Sequence, residues 1–140
     1  MKIFRIMLVV SLVMITACSA LPNHKDDFAK KNVDFMLRIR WLDFPGAALH
    51  FEGEARQEFI ERFDDVDDLK VTAFSMVRLD VDVPQEKVTA HYRLEYYILP
   101  SATIQKKRFS LTWEQQPIND SGQTADKVFW RITQAFPELL

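Results

Sequence analysis

From Leu69 to the end of the chain, apolar residues tend to fall on alternate positions, and this period of two constrains the fold more than any other feature. Residues two apart on an extended chain share a face, so each alternating run must form a strand with one side buried and one side wet. Leu69, Val71, Ala73, Ser75, Val77, Leu79, Val81 and Val83 are predicted to face inward on a first strand. Lys70, Thr72, Arg78, Asp80 and Asp82 then face outward. Pro84-Gln85 makes a turn, and Val88, Ala90, Tyr92, Leu94, Tyr96 and Ile98 form the inner face of a second strand. Pro100-Ser101 makes the next turn, and a third strand covers about Thr103 to Gln115 with Phe109, Leu111 and Trp113 on one face. After a polar loop from Gln116 to Asp126, Lys127 to Gln134 makes a last strand with Val128, Trp130 and Ile132 on one face.

The chain before Leu69 has a different period. From Asp27 to Leu42 the spacing predicts a helix, with Phe28, Phe35, Met36, Ile39 and Leu42 on one broad face. Val33, Leu37 and Trp41 make a second apolar sector, which predicts a helix covered on two sides. Asp34 and Arg38 sit one turn apart on the polar stripe, and Pro45-Gly46 ends the segment. A second helix is predicted over roughly Glu52 to Phe63, with Ala55, Phe59, Ile60 and Phe63 buried and Glu58 paired to Arg62. It ends by Asp64, because the carboxylates of Asp64, Asp65, Asp67 and Asp68 oppose the helix dipole there.

Helices that precede and stay separate from a meander of strands define an α+β fold: two N-terminal helices packed on a curved four-stranded antiparallel sheet. This order of elements, together with Trp130-Arg131-Ile132 on the last strand, resembles the nuclear-transport-factor-2-like (cystatin-like) roll. The resemblance implies that the sheet curls round the first helix. It also implies that the outer sheet face can carry a dimer interface, for which Phe74, Met76 and Tyr97 are the apolar candidates. Enzymes of that superfamily place an acid or base in an interior cavity, but no such dyad matches a position in this chain.

The N-terminal segment is not a fold element. Lys2 and Arg5 form a basic region, Ile6 to Ile15 an apolar one broken only by Ser11, and Thr16 and Ala17 are small. This is the layout of a secretory signal, too short to span a bilayer as a helix. Ile15-Thr16-Ala17-Cys18 resembles the lipobox of bacterial lipoproteins. The resemblance implies cleavage before Cys18 and lipidation of its sulfur and new amino terminus. With Ser19 rather than Asp next, it implies transfer to the outer membrane, facing the periplasm. The domain organisation expected is residues 1–17 as signal peptide, 18–26 as lipidated tether and 27–140 as one domain. Cleavage removes 17 of 140 residues and leaves 123, with 16 basic and 20 acidic side chains, a net charge of −4. An acidic chain without a basic cluster gives nucleic acid no electrostatic footprint.

The chain carries few residue patterns that point to chemistry. His24, His50 and His91 have no metal-ligand spacing, and the acidic run from Asp64 lacks the glycine and distal glutamate of a calcium loop. No serine has a nucleophile-elbow context, no glycine-rich phosphate loop exists, and no cofactor is implied. Two sets of candidates remain. His91, Arg93, Glu95 and Tyr97 share the outer face of the second strand, as a solvated ladder or as a patch for an envelope partner or a second copy. Trp41, Tyr96, Trp113 and Trp130 are candidates to line a pocket between sheet and helix, the other reading being plain core. The function expected is a non-catalytic, lipid-anchored binding or assembly module at the membrane surface. The alternative is a small-molecule-binding protein or enzyme that uses a pocket of the roll.

Overall fold

Two of the alternating runs hold their period without a break, and they form the centre of the sheet. The computed structural model describes residues 24–117 and 128–139. Helix α1 spans His24–Arg40, α2 Phe44–Ala48 and α3 Gly53–Arg62. Strands β1 (Leu69–Asp82), β2 (Lys87–Ile98), β3 (Gln105–Pro117) and β4 (Val128–Ile132) follow. The four strands form one antiparallel sheet in the order β1-β2-β3-β4. The fold is α+β, with the helices packed against that sheet. The signal segment, Cys18 and residues 18–23 of the tether lie outside the described residues, as does most of the polar loop before β4. Residues 24–26, expected in the tether, already belong to α1.

Along β2 the alternation runs as the sequence predicts: Val88, Ala90, Tyr92, Leu94 and Tyr96 are buried. Leu111 and Trp113 of β3 and Trp130 and Ile132 of β4 join them from the neighbouring strands. The core is aromatic. Phe35 of α1 sits at its centre, edge-on to Phe51, Phe74, Tyr92 and Trp113 at centroid distances of 5.7–6.2 Å. Such edge-to-face pairs each add about 0.5–1.5 kcal/mol beyond the burial of their area.

Strand β1 departs from strict alternation. Its register with β2 shifts between Val71 and Ala73 and again between Met76 and Arg78. Each bulge inserts one residue and so reverses which face the following side chains meet. Leu69 and Val71 face inward opposite Ile98 and Tyr96. After the first bulge Phe74 and Met76 face inward opposite Leu94 and Tyr92. After the second, Leu79 and Val81 face inward again opposite Ala90 and Val88. Phe74 and Met76 therefore leave the outer patch predicted for them. Phe74 is buried, and Val77, predicted inward, is exposed.

The helices bring two more corrections. Pro45-Gly46 does not only end a helix, because Pro45 lies in the first turn of α2. Proline is suited to that position, where its missing N–H has no intrahelical acceptor. Asp43 caps this short helix, its Oδ1 accepting from the Gly46 N–H at 3.0 Å. A side chain at Gly46 would collide with Asp43 and with the Arg38 guanidinium paired to it. Helix α1 is covered on one side only. Phe28, Asn32, Phe35 and Ile39 are buried, but Val33, Leu37 and Trp41 are not. In α3, Ala55, Phe59 and Phe63 are buried as predicted, while Ile60 is exposed. The expected Asp34–Arg38 and Glu58–Arg62 pairs form, at 2.8 and 2.7 Å.

The two edges of the sheet differ. Against β4 lies the segment 50–52, with the Ile132 N–H donating to His50 and the Glu52 N–H donating to Ile132. Among the described residues no strand covers the free side of β1.

Candidate functional site

The inward return of Leu79 and Val81 opens a groove in the domain. Beyond Met76, β1 and β2 extend past the first turns of α1, and a groove of about 600 Å³ lies between them. Phe28, Val33 and Met36 of α1 form one wall, and Met76, Leu79 and Val81 of β1 the other. Trp130 and Val88 line it from the sheet, and Asp82, Glu86 and Lys87 lie at the β1–β2 turn. Its volume is in the range of small-molecule sites, and its walls are mainly apolar, as such sites are.

One polar side chain, Asn32, reaches the groove from the buried interior. Its Oδ1 accepts from the Tyr92 hydroxyl at 2.5 Å, and that hydroxyl accepts from Trp113 Nε1 at 3.0 Å. This chain fixes the amide, and burial pushes the Tyr92 phenol well above its ordinary value, so it stays a donor. The Asn32 amide nitrogen meets only the Met76 sulfur, at 3.4 Å. A thioether is a weak acceptor. The groove therefore offers an amide donor that a carbonyl or carboxylate would satisfy better.

The four residues predicted to line a pocket are not gathered. Trp130 does line the groove. Trp113 is fully buried, with its ring edge-on to Phe28 and Phe35. Tyr96 lies under the C-terminal segment, its hydroxyl donating to the Leu139 carbonyl at 2.7 Å. Trp41 follows the end of α1 and is 76% exposed, so it is core in neither sense. The sequence does not single out Asn32 and assigns Met76 to the outer sheet face. Their only signal was an asparagine on the apolar face of a helix.

His91, Arg93, Glu95 and Tyr97 do form a row along the outer face of β2. His91 Nδ1 bonds Ser110 Oγ at 2.7 Å and its Nε2 bonds Asp80 at 2.8 Å. Glu95 pairs with Lys106 at 3.4 Å, Tyr97 stands opposite Lys70, and Arg93 stands opposite Arg108. Arg78, then His91, hold the exposed Asp80 carboxyl below its usual range. Ser110, His91 and Asp80 share the residue types of an acyl-transfer triad. They lie on an open sheet face away from the groove, where no wall would position a substrate or exclude water. Their arrangement is a cross-strand ladder.

Among the described residues His50 is the one histidine shown buried. Its Nε2 lies 2.8 Å from Asp34, and a carboxylate can only accept, so Nε2 carries the hydrogen. Nδ1 has no partner and lies among Phe35 and Trp113. Burial therefore lowers the His50 pKa from 6.5, against the opposing pull of Asp34. The Arg38 guanidinium, with help from His50, holds the Asp34 carboxyl below 3.8 against its partial burial. The unfolded chain binds the His50 proton first as pH falls. This contribution to stability is thus complete above about pH 6.5 and is lost as pH drops through the lowered folded value. Urea midpoints measured from pH 8 to 5 should fall through this range, and His50→Gln should flatten that part of the profile. An unchanged profile in the variant would remove His50 as the cause.

Among the described residues, no three His, Cys, Asp or Glu side chains group closely enough to hold a metal ion. No helix among them is long and apolar enough to cross a membrane.

No protein-family model matches this chain, and no curated protein sequence matches it. The fold has relatives among solved structures. A TraE protein in complex with 2-(2-furyl)isonicotinic acid superposes with a TM-score of 0.53 at 12% identity, over 83% of this chain and 96% of that one. A TraE protein in complex with 2-chloroisonicotinic acid gives 0.51 at 11% identity, over 83% and 95%. At such identities the likeness is one of fold alone.

Proposed function

We propose that this chain is a non-catalytic binding module of the cell envelope, anchored by lipid at Cys18, which engages an apolar segment of a partner protein in the groove between α1 and β1. The observation that carries this reading is the groove itself. It is mainly apolar and holds one fixed amide donor, Asn32, where the carbonyl of an inserted segment would lie. The lining suits binding. Among the described residues its charged groups, Asp82, Glu86 and Lys87, sit at the β1–β2 turn, and the histidine ladder lies on the opposite face of the sheet. A second reading, a small-molecule carrier, is favoured by the groove volume and by the small aromatic acids bound to the TraE proteins that share the fold.

A photo-crosslinking residue at Val33 in the full chain, expressed in cells, tests the first reading. A discrete protein adduct is expected from Val33 and not from Thr89 on the outer face. Met76→Lys should reduce it by about tenfold, because an ammonium in an apolar groove is costly to bury. A small molecule retained by the purified chain in native mass spectrometry, with no protein adduct, selects the second reading. Neither result would remove the groove as a binding site.

A further inference from the structure

The free edge of β1 fits a second copy of this chain, and we infer that two copies pair antiparallel through it about a two-fold axis at Leu79. The paired edge borders the groove, whose walls include Val33, Leu79 and Val81. An open edge strand of 14 residues presents unpaired backbone groups, which proteins normally cover or blunt. The opposite edge of this sheet is covered by residues 50–52, and among the described residues no strand covers this one. The side chains at this edge are apolar and exposed: Val77 is 53% exposed, Val81 51% and Val83 74%.

Charge selects both the partner and the register. In a two-fold antiparallel pair, residues equally spaced on either side of the axis stand opposite each other on the same face. An axis at Leu79 sets Arg78 against Asp80 of the second copy, twice by symmetry, within the regular stretch that follows the bulge at Val77. An axis at Arg78 or at Asp80 would oppose like charges directly. An axis at Val81 would set Asp80 against Asp82. A slip of one residue would set leucine against aspartate and exchange the two faces. Leu79 is the only axis from 78 to 81 that matches both charge and hydrophobicity.

Helix α1 supplies a third feature. Val33, Leu37 and Trp41 follow one another at single-turn steps, and Val33 already meets the groove wall made by β1. All three are about half exposed or more. Joining the sheets at β1 places two α1 helices on the same face of one eight-stranded sheet, with these apolar rows on the sides nearest the junction. That explains the second apolar sector, which the isolated domain leaves wet.

Cysteine placed on the axis tests the register in the full chain. Leu79→Cys should form a disulfide-linked dimer under mild oxidation, because the two cysteines face each other. Thr72→Cys should not, since its opposite number is residue 86. The unsubstituted chain controls for Cys18. Sedimentation of the full chain in mild detergent tests the charges. Asp80→Arg should weaken the dimer about tenfold by opposing Arg78 to arginine, and Arg78→Asp with Asp80→Arg should restore it. Both variants lose the His91–Asp80 contact, and the swap also restores the ion pair that Arg78 and Asp80 form within one strand, so recovery counts for pairing between copies only where Leu79→Cys cross-linking of the swapped chain returns with it. A monomeric parent chain, equal cross-linking at residues 72 and 79, or no recovery in the swapped variant would overturn the inference.

Discussion

Trp113→Ala is expected to cost the domain about 3–5 kcal/mol, the usual range for removing a fully buried large aromatic side chain. Trp113 is 0% exposed, and its ring lies 5.6 Å from Phe28, 5.7 Å from Phe35 and 5.9 Å from His50. These neighbours belong to α1 and to the segment that follows α2, so the ring joins the sheet to the helical layer. The substitution also removes the donor to the Tyr92 hydroxyl, though that hydroxyl keeps its bond to Asn32. Against a total stability of roughly 5–15 kcal/mol for a domain, the loss takes a third or more of it. Urea unfolding followed by far-ultraviolet circular dichroism measures it. A loss below about 1 kcal/mol would mean that the ring does not join the two layers. Trp113→Phe keeps an aromatic ring and should cost clearly less.

The same residue shows why part of the fold could be read from the chain. On β2 and β3 every second side chain is inward from Val88 to Tyr96 and from Phe109 to Trp113, so a period of two is the whole rule. On β1 the rule holds for the first residues and then fails twice, because two bulges add residues that no sequence pattern marks. Phe74 was thereby predicted outward though it lies in the core. Leu79 and Val81 were predicted inward correctly, since the second bulge cancels the first. The groove depends on that cancellation and on Asn32, which touches Tyr92 and Met76 some 60 and 44 positions away. A contact of that range leaves no local signature. Helix α2 was missed for a local reason: Pro45-Gly46 was read as a terminator, and the cap at Asp43 makes the proline an initiator.

The second apolar sector of α1 was legible as a pattern, and its consequence was misread. Helical spacing shows that Val33, Leu37 and Trp41 share a row, but not whether the protein itself covers that row. In the single chain it remains wet, and of its three residues Val33 borders the groove at β1. Met76 and Phe74 lose their place in an outer-face dimer patch for the same structural reason that β1 gains an apolar edge. A contact between copies through the edge accounts for both facts, where a contact through the polar ladder of His91, Arg93 and Glu95 accounts for neither.

Cys18→Ser is expected to abolish incorporation of a clickable fatty acid into the full chain and to release it from the membrane fraction. One acyl chain gives only marginal binding, and each further buried methylene adds about 0.8 kcal/mol. A three-chain anchor of the kind the lipobox resemblance implies is therefore practically permanent, and losing it is an all-or-none change in location. No helix among the described residues is long and apolar enough to cross a bilayer. Labelled wild type and unlabelled variant, with the variant in the soluble fraction, is the expected pair of results. Equal labelling of both would sink the anchor, while a labelled wild type that never sediments with membranes would separate lipidation from location. Anchoring also bears on the pairing at β1. Confining two copies to one surface raises their effective concentration, so a weak edge contact is populated further there than in solution. The same Cys18→Ser chain should then show less Leu79→Cys cross-linking in cells at equal expression.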